Sequence, residues 1–200
     1  MRLRRVAFFL VGGAGLVVAL GACAWIYASS TVEQPSYDVV EVDGAIEIRS
    51  YPELVTASVI RRGERYDAVR AGFSPLAGYI FAKERPGEKI AMTAPVTQRL
   101  GDGRDWTVRF IMPSEYDLDD LPAPAGSDVS LSTLPATTRA AIRFSGVADN
   151  ELIAEQEGLL RDWIAKRGID VTGSPIYAYY NDPFTPGFLR RNEVLFDMMD

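Results

Sequence analysis

The chain begins with a long uncharged stretch. Arg2, Arg4 and Arg5 are followed by residues 6–28, in which no side chain is charged. A basic start followed by about twenty apolar residues is typical of a signal or a membrane-spanning anchor, with the following chain exported. We therefore predict a signal or membrane anchor over residues 1–28, a polar linker over 29–36 and a folded domain over 37–200.

The sequence Leu-Gly-Ala-Cys at residues 20–23 allows a second interpretation of this stretch. It resembles a bacterial lipobox, in which Cys23 becomes the lipidated first residue after the preceding signal is removed. Trp25 and Tyr27 favour an uncleaved anchor, because aromatic residues are enriched where a spanning helix leaves the bilayer. Both forms stay open, and each predicts a membrane-anchored protein whose domain lies on the periplasmic or extracellular side.

Alternating apolar and polar residues predict strands from Tyr37 onward. Asp43-Gly44 separates two such segments and indicates a hairpin turn. The first half of the domain has five predicted strands, over residues 37–42, 46–50, 54–60, 96–100 and 106–112. Between the third and the fourth, apolar residues spaced by three and four predict a helix: Tyr66, Val69, Phe73, Leu76 and Ile80. Because Pro75 lies inside this helix, we expect it to be kinked or split near Ser74.

The same order of elements recurs in the second half. Strands are predicted over residues 129–134, 138–145, 176–181 and 194–198. Asp149 or Asn150 can cap a helix that ends before Gly168. Its predicted apolar face consists of Leu152, Ile153, Gln156, Leu159, Leu160, Trp163 and Ile164. Two copies of a strand–helix–strand unit predict an α+β domain with a pseudo-twofold sheet or barrel, two flanking helices and a cleft suited to a small-molecule ligand.

Composition removes several classes of function. The net charge is −6, which becomes −9 without the three N-terminal arginines, and no basic stripe follows. We therefore predict no nucleic-acid partner. The protein has no histidine, and Cys23 is its only cysteine, so the domain cannot assemble a Ser-His-Asp triad, a Cys-His pair or a His/Cys zinc site. We expect a binding protein without catalytic residues rather than an enzyme.

Several segments occur in an order typical of one known family: residues 37–41, 46–52, 73–81, 89–96, 182–186 and 191–194. In this ordered set the chain resembles the SOUL haem-binding family, over nearly all of residues 37–200. The resemblance implies a distorted antiparallel β-barrel with two flanking helices. It also implies non-covalent binding of haem or another tetrapyrrole in a shallow apolar groove beside the first helix.

The resemblance also implies ligand-binding residues on that helix. Arg70 is similar to a family arginine placed near the haem propionates, and a guanidinium is well suited to binding carboxylates. Phe73, Leu76, Ala77 and Ile80 would form the apolar wall of the groove.

Two departures from the family pattern change the expected binding mode. Gly78 stands where animal members carry a lysine, so one propionate contact is missing. Iron in proteins is held by His, Cys, Met or Tyr, and the domain has no His or Cys. Met92, Tyr79 and Tyr177 are the weak candidates for a metal ligand, and haem would be held mainly by contacts with the groove.

Charged residues near the C terminus allow other ligands. Arg190 or Arg191 could bind an anionic ligand, and Glu193 a cationic one. The duplicated architecture resembles the effector-binding modules of bacterial multidrug regulators, which use a buried carboxylate for cations. Three alternatives therefore stay open: a binding module for other amphipathic or cationic small molecules, with Glu193 as the carboxylate; a hydrolase that uses carboxylates alone; and a purely structural envelope protein.

Overall fold

A computed structural model describes residues 32–199, which form one nine-stranded antiparallel sheet and two α-helices. The predicted anchor over residues 1–28 and its Cys23 lie outside the described residues. Within residues 32–199, neither helix combines the length and the apolar character needed to cross a membrane. Glu33 already contacts the domain, because its carbonyl oxygen accepts a hydrogen bond from the backbone N–H of Ala94 at 2.8 Å. The folded unit therefore begins inside the predicted 29–36 linker.

Every strand and both helices predicted for the domain are present. The strands are β1 (Asp38–Asp43), β2 (Ile46–Tyr51), β3 (Leu54–Arg62), β4 (Val96–Leu100), β5 (Asp105–Ile111), β6 (Ser130–Leu134), β7 (Thr137–Phe144), β8 (Val171–Tyr179) and β9 (Asn192–Met198). The helices are α1 (Arg65–Ile80) and α2 (Asn150–Arg167). Strand β8 begins earlier than predicted. A bulge between Thr172 and Ile176, with Gly173 at φ +70°, interrupts its alternating pattern.

The strand order confirms the predicted duplication. Across the sheet it is β1-β2-β7-β9-β8-β4-β5-β3-β6. We define the first unit as β2–β5 with α1 and the second unit as β6–β9 with α2. The counterparts are β2 and β6, β3 and β7, β4 and β8, and β5 and β9. If β1 is left out and each strand is replaced by its counterpart, the strand order is the same in reverse, with its centre between β8 and β4. The helices obey the same exchange, since α1 packs on β3 and β5 and α2 on β7 and β9.

The sheet is open, so the prediction that it closes into a β-barrel is wrong. β1 and β6 form the two edges, and among the described strands no pairing joins them. β1 carries Asp38, Glu41 and Asp43, and most of its residues are exposed. Charged residues on an edge strand oppose further strand pairing, which agrees with an edge left open here.

α1, which was expected to be kinked or split near Ser74, is not split and runs without a break through Pro75. Proline has no N–H to donate to the carbonyl four residues earlier, which belongs to Ala71. Arg61 of β3 supplies the replacement, because its Nε donates to the Ala71 carbonyl oxygen at 3.3 Å. A side chain from a neighbouring strand thus satisfies the free carbonyl, and the helix continues to Ile80.

The predicted ends of α2 are confirmed. The Asp149 carboxylate accepts a hydrogen bond from the backbone N–H of Leu152 at 2.9 Å, and Gly168 ends the helix in the left-handed conformation at φ 64°. Ile153, Leu160 and Ile164 are buried against the sheet, whereas Leu159 of the predicted apolar face is half exposed.

Alternation along the strands gives the sheet a helix-covered face and a helix-free face. On β5, Trp106, Val108 and Phe110 are buried under the helices. Thr107 and Arg109 alternate with them and therefore point to the helix-free face. Gly72 lets α1 approach closely, because a Cβ atom at this position would lie 2.8 Å from the Cβ of Val108.

Candidate functional site

A cleft of about 620 Å³ runs along one side of α1. The helix contributes Ala71, Ser74, Pro75, Gly78 and Tyr79, at helical spacing. The segment after α1 and residues between 124 and 129 supply the other walls. The volume lies within the range of small-molecule sites, which is about 300–1,000 Å³.

Exposed aromatic residues occur on the outer surface of α1. Tyr66 and Phe73 are large hydrophobic residues with much of their surface in solvent, and Phe81 at the end of the helix is similar. Phe73 packs edge-on against the buried Phe110, with ring centroids 5.3 Å apart. The predicted groove residue Phe73 therefore packs partly against the core and leaves part of its surface in solvent.

Arg70 lies on this outer surface. Its guanidinium carbon is 5.6 Å from the centre of the Tyr66 ring, and the residue is exposed. Ser74 follows one turn later and Gly78 one turn after that, so the three residues form a single stripe on the helix. Because Ser74 and Gly78 line the cleft, Arg70 adjoins one part of its rim.

The other predicted wall residues lie beneath the helix. Leu76 and Ile80 are buried in the core with Val108 and Phe110, and Ala77 is buried beside them. In this conformation these three residues support α1 from the sheet side and do not face solvent. They stay a prediction as ligand contacts.

Four cations lie at or near the cleft, and two of them, Arg70 and Lys83, are available to a ligand. The Arg61 guanidinium is paired with the Asp128 carboxylate at 2.8 and 2.6 Å. The buried Arg85 donates to three backbone carbonyls of its own segment. Lys83 and Arg70 are exposed and form no ion pair with any residue between 32 and 199.

The candidate metal ligands are engaged elsewhere. The Tyr79 hydroxyl donates to the Pro122 carbonyl at 2.9 Å, and burial raises the pKa of Tyr79. The Tyr177 hydroxyl donates to the Glu157 carboxylate at 2.7 Å, and burial together with this carboxylate raises the pKa of Tyr177. Met92 packs against the core. Across residues 32–199, no group of three or more acidic, His or Cys side chains could hold a metal ion.

Arg190 braces the loop between β8 and β9. Its Nε donates to the Thr185 carbonyl at 2.7 Å, and its Nη2 donates to the Pro183 carbonyl at 2.6 Å. Asp182 holds the same loop by accepting from the backbone N–H groups of Phe184 and Thr185. The guanidinium of Arg190 thus has a structural role within its own loop.

Glu193 and Arg191 belong to a buried ionic network on the helix-free face. The Glu193 carboxylate is fully buried and accepts from the Arg49 guanidinium at 2.7 and 3.1 Å. It also accepts from Arg191 at 2.7 Å and from the Tyr180 hydroxyl at 2.8 Å. Burial would raise the pKa of Glu193, but the hydrogen bonds from Arg49 and Arg191 hold it below its usual value. These contacts occupy both carboxylate oxygens and leave neither of them facing solvent.

The prediction missed two aromatic residues in the loop between β8 and β9. Phe184 is 90% exposed and Phe188 is 78% exposed, although the loop is well braced. A hydrogen bond from the backbone N–H of Gly146 to the Gly187 carbonyl at 3.0 Å ties this loop to the segment before α2. Proline and glycine in the sequence indicate a loop here, but a loop has no periodicity from which the exposure of its side chains could be predicted.

Comparison with known proteins identifies the family. The family model described as SOUL heme-binding protein matches residues 32–197. The chain belongs to this family. Heme-binding protein 2 of Mus musculus is 30% identical over 175 residues, which cover 82% of this chain and 84% of the mouse protein. Heme-binding protein 2 of Homo sapiens is 30% identical over 180 residues, which cover 84% of this chain and 86% of the human protein.

Solved structures confirm the fold of this SOUL-family domain. The EcmrR C-terminal domain superposes with a TM-score of 0.61 at 15% identity, covering 82% of this chain and 98% of that domain. A hydrolase from Listeria innocua superposes with a TM-score of 0.55 at 14% identity, covering 80% and 94%. At such low identity these similarities concern the fold alone.

Proposed function

We propose that this SOUL-family protein binds haem or another tetrapyrrole non-covalently against α1. The observation that carries the proposal is a cleft on α1 that is lined by Lys83 and adjoined by Arg70, two cations that form no ion pair with any residue between 32 and 199. Exposed aromatic residues lie elsewhere on the same helix. A tetrapyrrole has flat apolar faces and ionised carboxylates, so aromatic side chains and cations complement it. The names of the two mammalian relatives support the same ligand.

The described residues fit the macrocycle better than its metal. Tyr66, Phe73 and Phe81 offer apolar contact area, and Arg70 and Lys83 offer charge to carboxylates. The protein has no histidine, and the hydroxyls of Tyr79 and Tyr177 are already hydrogen-bonded. We infer that affinity comes from the faces and carboxylates of the ligand and that the protein acts as a carrier or buffer rather than a catalyst.

The test is a titration of the full chain in a mild detergent with haem and with metal-free protoporphyrin. Saturable one-to-one binding of both, followed by absorbance and by quenching of tryptophan fluorescence, is the expected result. The two affinities should agree within about threefold, because residues 32–199 include no histidine or cysteine and the hydroxyls of Tyr79 and Tyr177 are already hydrogen-bonded. Binding of haem alone would mean that a protein ligand to iron exists, and binding of neither would overturn the proposal.

Two matched glycine variants locate the ligand. Gly78 lies in α1 and Gly158 in α2, and a Cβ atom at either position would meet nothing within 4 Å. Gly78→Phe places a ring in the cleft and should weaken tetrapyrrole binding at least about tenfold. Gly158→Phe adds the same ring to the other helix and should leave binding unchanged. Equal effects of the two variants would place the ligand away from the cleft.

We also propose that residues 1–28 hold the domain at the exported face of a membrane. The basic start and the uncharged run support an anchor. Gln34, near the start of the folded unit, accepts a hydrogen bond from Arg191 at 3.0 Å, at the base of the loop that carries Phe184 and Phe188. Exposed phenylalanines in this braced loop suit contact with a lipid surface.

Cell fractionation tests this location. The full chain should stay in the membrane fraction after a carbonate wash, and a domain freely released into the soluble fraction would contradict the anchor. Cys23→Ala distinguishes the two forms. The variant should be released, or accumulate uncleaved, if Cys23 is lipidated, whereas a spanning anchor should be indifferent to the change.

A further inference from the structure

The helix-free face of the sheet carries three arginines around a single carboxylate. Arg139 Nε donates to Asp197 Oδ1 at 2.7 Å, and Arg99 Nη2 donates to Asp197 Oδ2 at 2.7 Å. Both oxygens of Asp197 are thus occupied. The third arginine, Arg109, forms no side-chain hydrogen bond and no ion pair with any residue in the described part of the chain. The cluster therefore carries two positive charges in excess.

Neighbouring groups do not cancel this excess. Arg49 and Arg191 are matched by Glu47 and Glu193 in the adjoining network, which is neutral by itself. Burial lowers the pKa of Arg109, and the charges of Arg99 and Arg139 lower it further. A partly buried cation beside two others destabilises the fold unless an anion joins it.

The sheet register places two hydroxyl groups next to Arg109. Ser58 of β3 is its direct partner on one side, and Thr97 of β4 is its direct partner on the other. Residues paired in this way project from the same face of a sheet. All three are only partly buried. The Ser58 hydroxyl donates to the Ser130 carbonyl at 3.4 Å, whereas the Thr97 side chain makes no hydrogen bond within residues 32–199. A guanidinium without an ion-pair partner and a hydroxyl with a free proton, on the same face of the sheet, are donors that an oxyanion requires.

We propose that Arg109 and Thr97, with Arg99 beside them, bind a small multivalent oxyanion such as a phosphate group. This site lies on the opposite face of the sheet from α1 and is independent of tetrapyrrole binding. The anion neutralises the surplus charge of the cluster, and the hydroxyl of Thr97 donates a hydrogen bond to it. Inorganic phosphate and glycerol phosphate present the same chemistry as a free ion and as an ester.

Thermal unfolding of the full chain in phosphate tests the site, with chloride of equal ionic strength and pH as the reference. Phosphate should raise the unfolding temperature by several degrees with a saturable dependence on its concentration. Arg109→Met should unfold at a higher temperature than the natural chain in chloride, because an unpaired charge is removed, and should no longer respond to phosphate. This pattern would separate loss of the site from loss of the fold.

Arg62→Met is the matched control. Arg62 is an exposed strand arginine whose side chain is 84% accessible and pairs with Asp105. This variant should keep the phosphate response. The proposal is overturned if the natural chain shows no saturable response, or if Arg109→Met responds as the natural chain does. A response to both phosphate and its glycerol ester would identify the phosphate group as the recognised element, and a response to the free ion alone would restrict the site to inorganic anions.

Discussion

Two glycines of α1 meet opposite surroundings. Gly72 lies against Val108, where an added Cβ would be 2.8 Å from the valine side chain, whereas Gly78 faces open space in the cleft. Gly72→Ala should lower the free energy of unfolding by about 1–3 kcal/mol, because the helix must move away from a packed sheet. Gly78→Ala should raise it by about 0.5–1 kcal/mol, since alanine restricts the unfolded chain. Urea unfolding followed by circular dichroism checks both variants. If both substitutions changed the free energy of unfolding in the same direction, the packing described here would be contradicted.

Glu193 links the buried arginines to the pH dependence of stability. Because its pKa is lower in the folded protein than in the unfolded chain, its stabilising contribution is complete above the unfolded pKa. The contribution is lost as the pH falls through the folded value. The unfolding free energy of the natural chain should therefore decrease below about pH 4.

Glu193→Gln should flatten this decrease and lower stability at neutral pH by about 3–5 kcal/mol, because Arg191 loses its carboxylate partner and Arg49 keeps only Glu47. Asp105→Asn, in the exposed pair with Arg62, is the control and should cost less than about 1 kcal/mol. Urea unfolding between about pH 3 and about pH 7, a range that includes the expected decrease, measures both variants. Equal losses of stability in the two variants would show that burial of the network contributes nothing to the stability of the fold.

Among the elements, α1 depends on a strand for its continuity. Arg61 of β3 donates to the Ala71 carbonyl that Pro75 cannot reach. In a Pro75→Ala variant the new backbone N–H can occupy that carbonyl, so Arg61→Met should destabilise this variant less than it destabilises the natural chain. A double-mutant cycle cancels the contact of Arg61 with Asp128 and should leave a coupling of about 0.5–1 kcal/mol. A coupling near zero would mean that the Ala71 carbonyl needs no partner.

Features that depend on local sequence patterns could be predicted, whereas features that depend on contacts between elements could not. The strands, both helices and the cap at Asp149 follow from local periodicity and capping residues, which act over a few positions. The continuity of α1 could not be decided from the sequence because the rule for Pro75 is local, while Arg61 reaches the helix from another element. The Arg109 cluster was missed for the same reason, since its members lie on different strands and only the register brings them together.

The wall of the cleft between residues 124 and 129 is another feature that local sequence patterns do not predict. This segment has no regular structure and no periodic pattern. Its position depends on where the strand order brings β6, at the edge beside β3. Arg70 was expected near the ligand from the family resemblance, and that role stays a prediction, whereas the opposite wall could not be predicted.

At the scale of the molecule, the two units share one sheet. β2 pairs with β7, β3 with β6 and β4 with β8, and each pair joins strands of different units. A unit alone would leave these strand edges without partners, and unpaired backbone groups are costly when buried. The duplication therefore describes the arrangement of the fold, and we expect neither half to be stable without the other.

Two tryptophans allow this expectation to be measured within the intact chain. Trp106 lies in the first unit, where its Nε1 donates to the Gly63 carbonyl at 3.0 Å, and Trp163 lies in the second, where its Nε1 donates to Asp43 at 2.9 Å. Replacing Trp25 and one of these by phenylalanine leaves a single reporter for either unit. In each variant, the urea transition seen by fluorescence should coincide with the transition seen by far-ultraviolet circular dichroism, because shared strand pairs make unfolding cooperative. A fluorescence transition of one unit that precedes the loss of half the secondary structure would show that the units unfold separately and that the pairs between them contribute little.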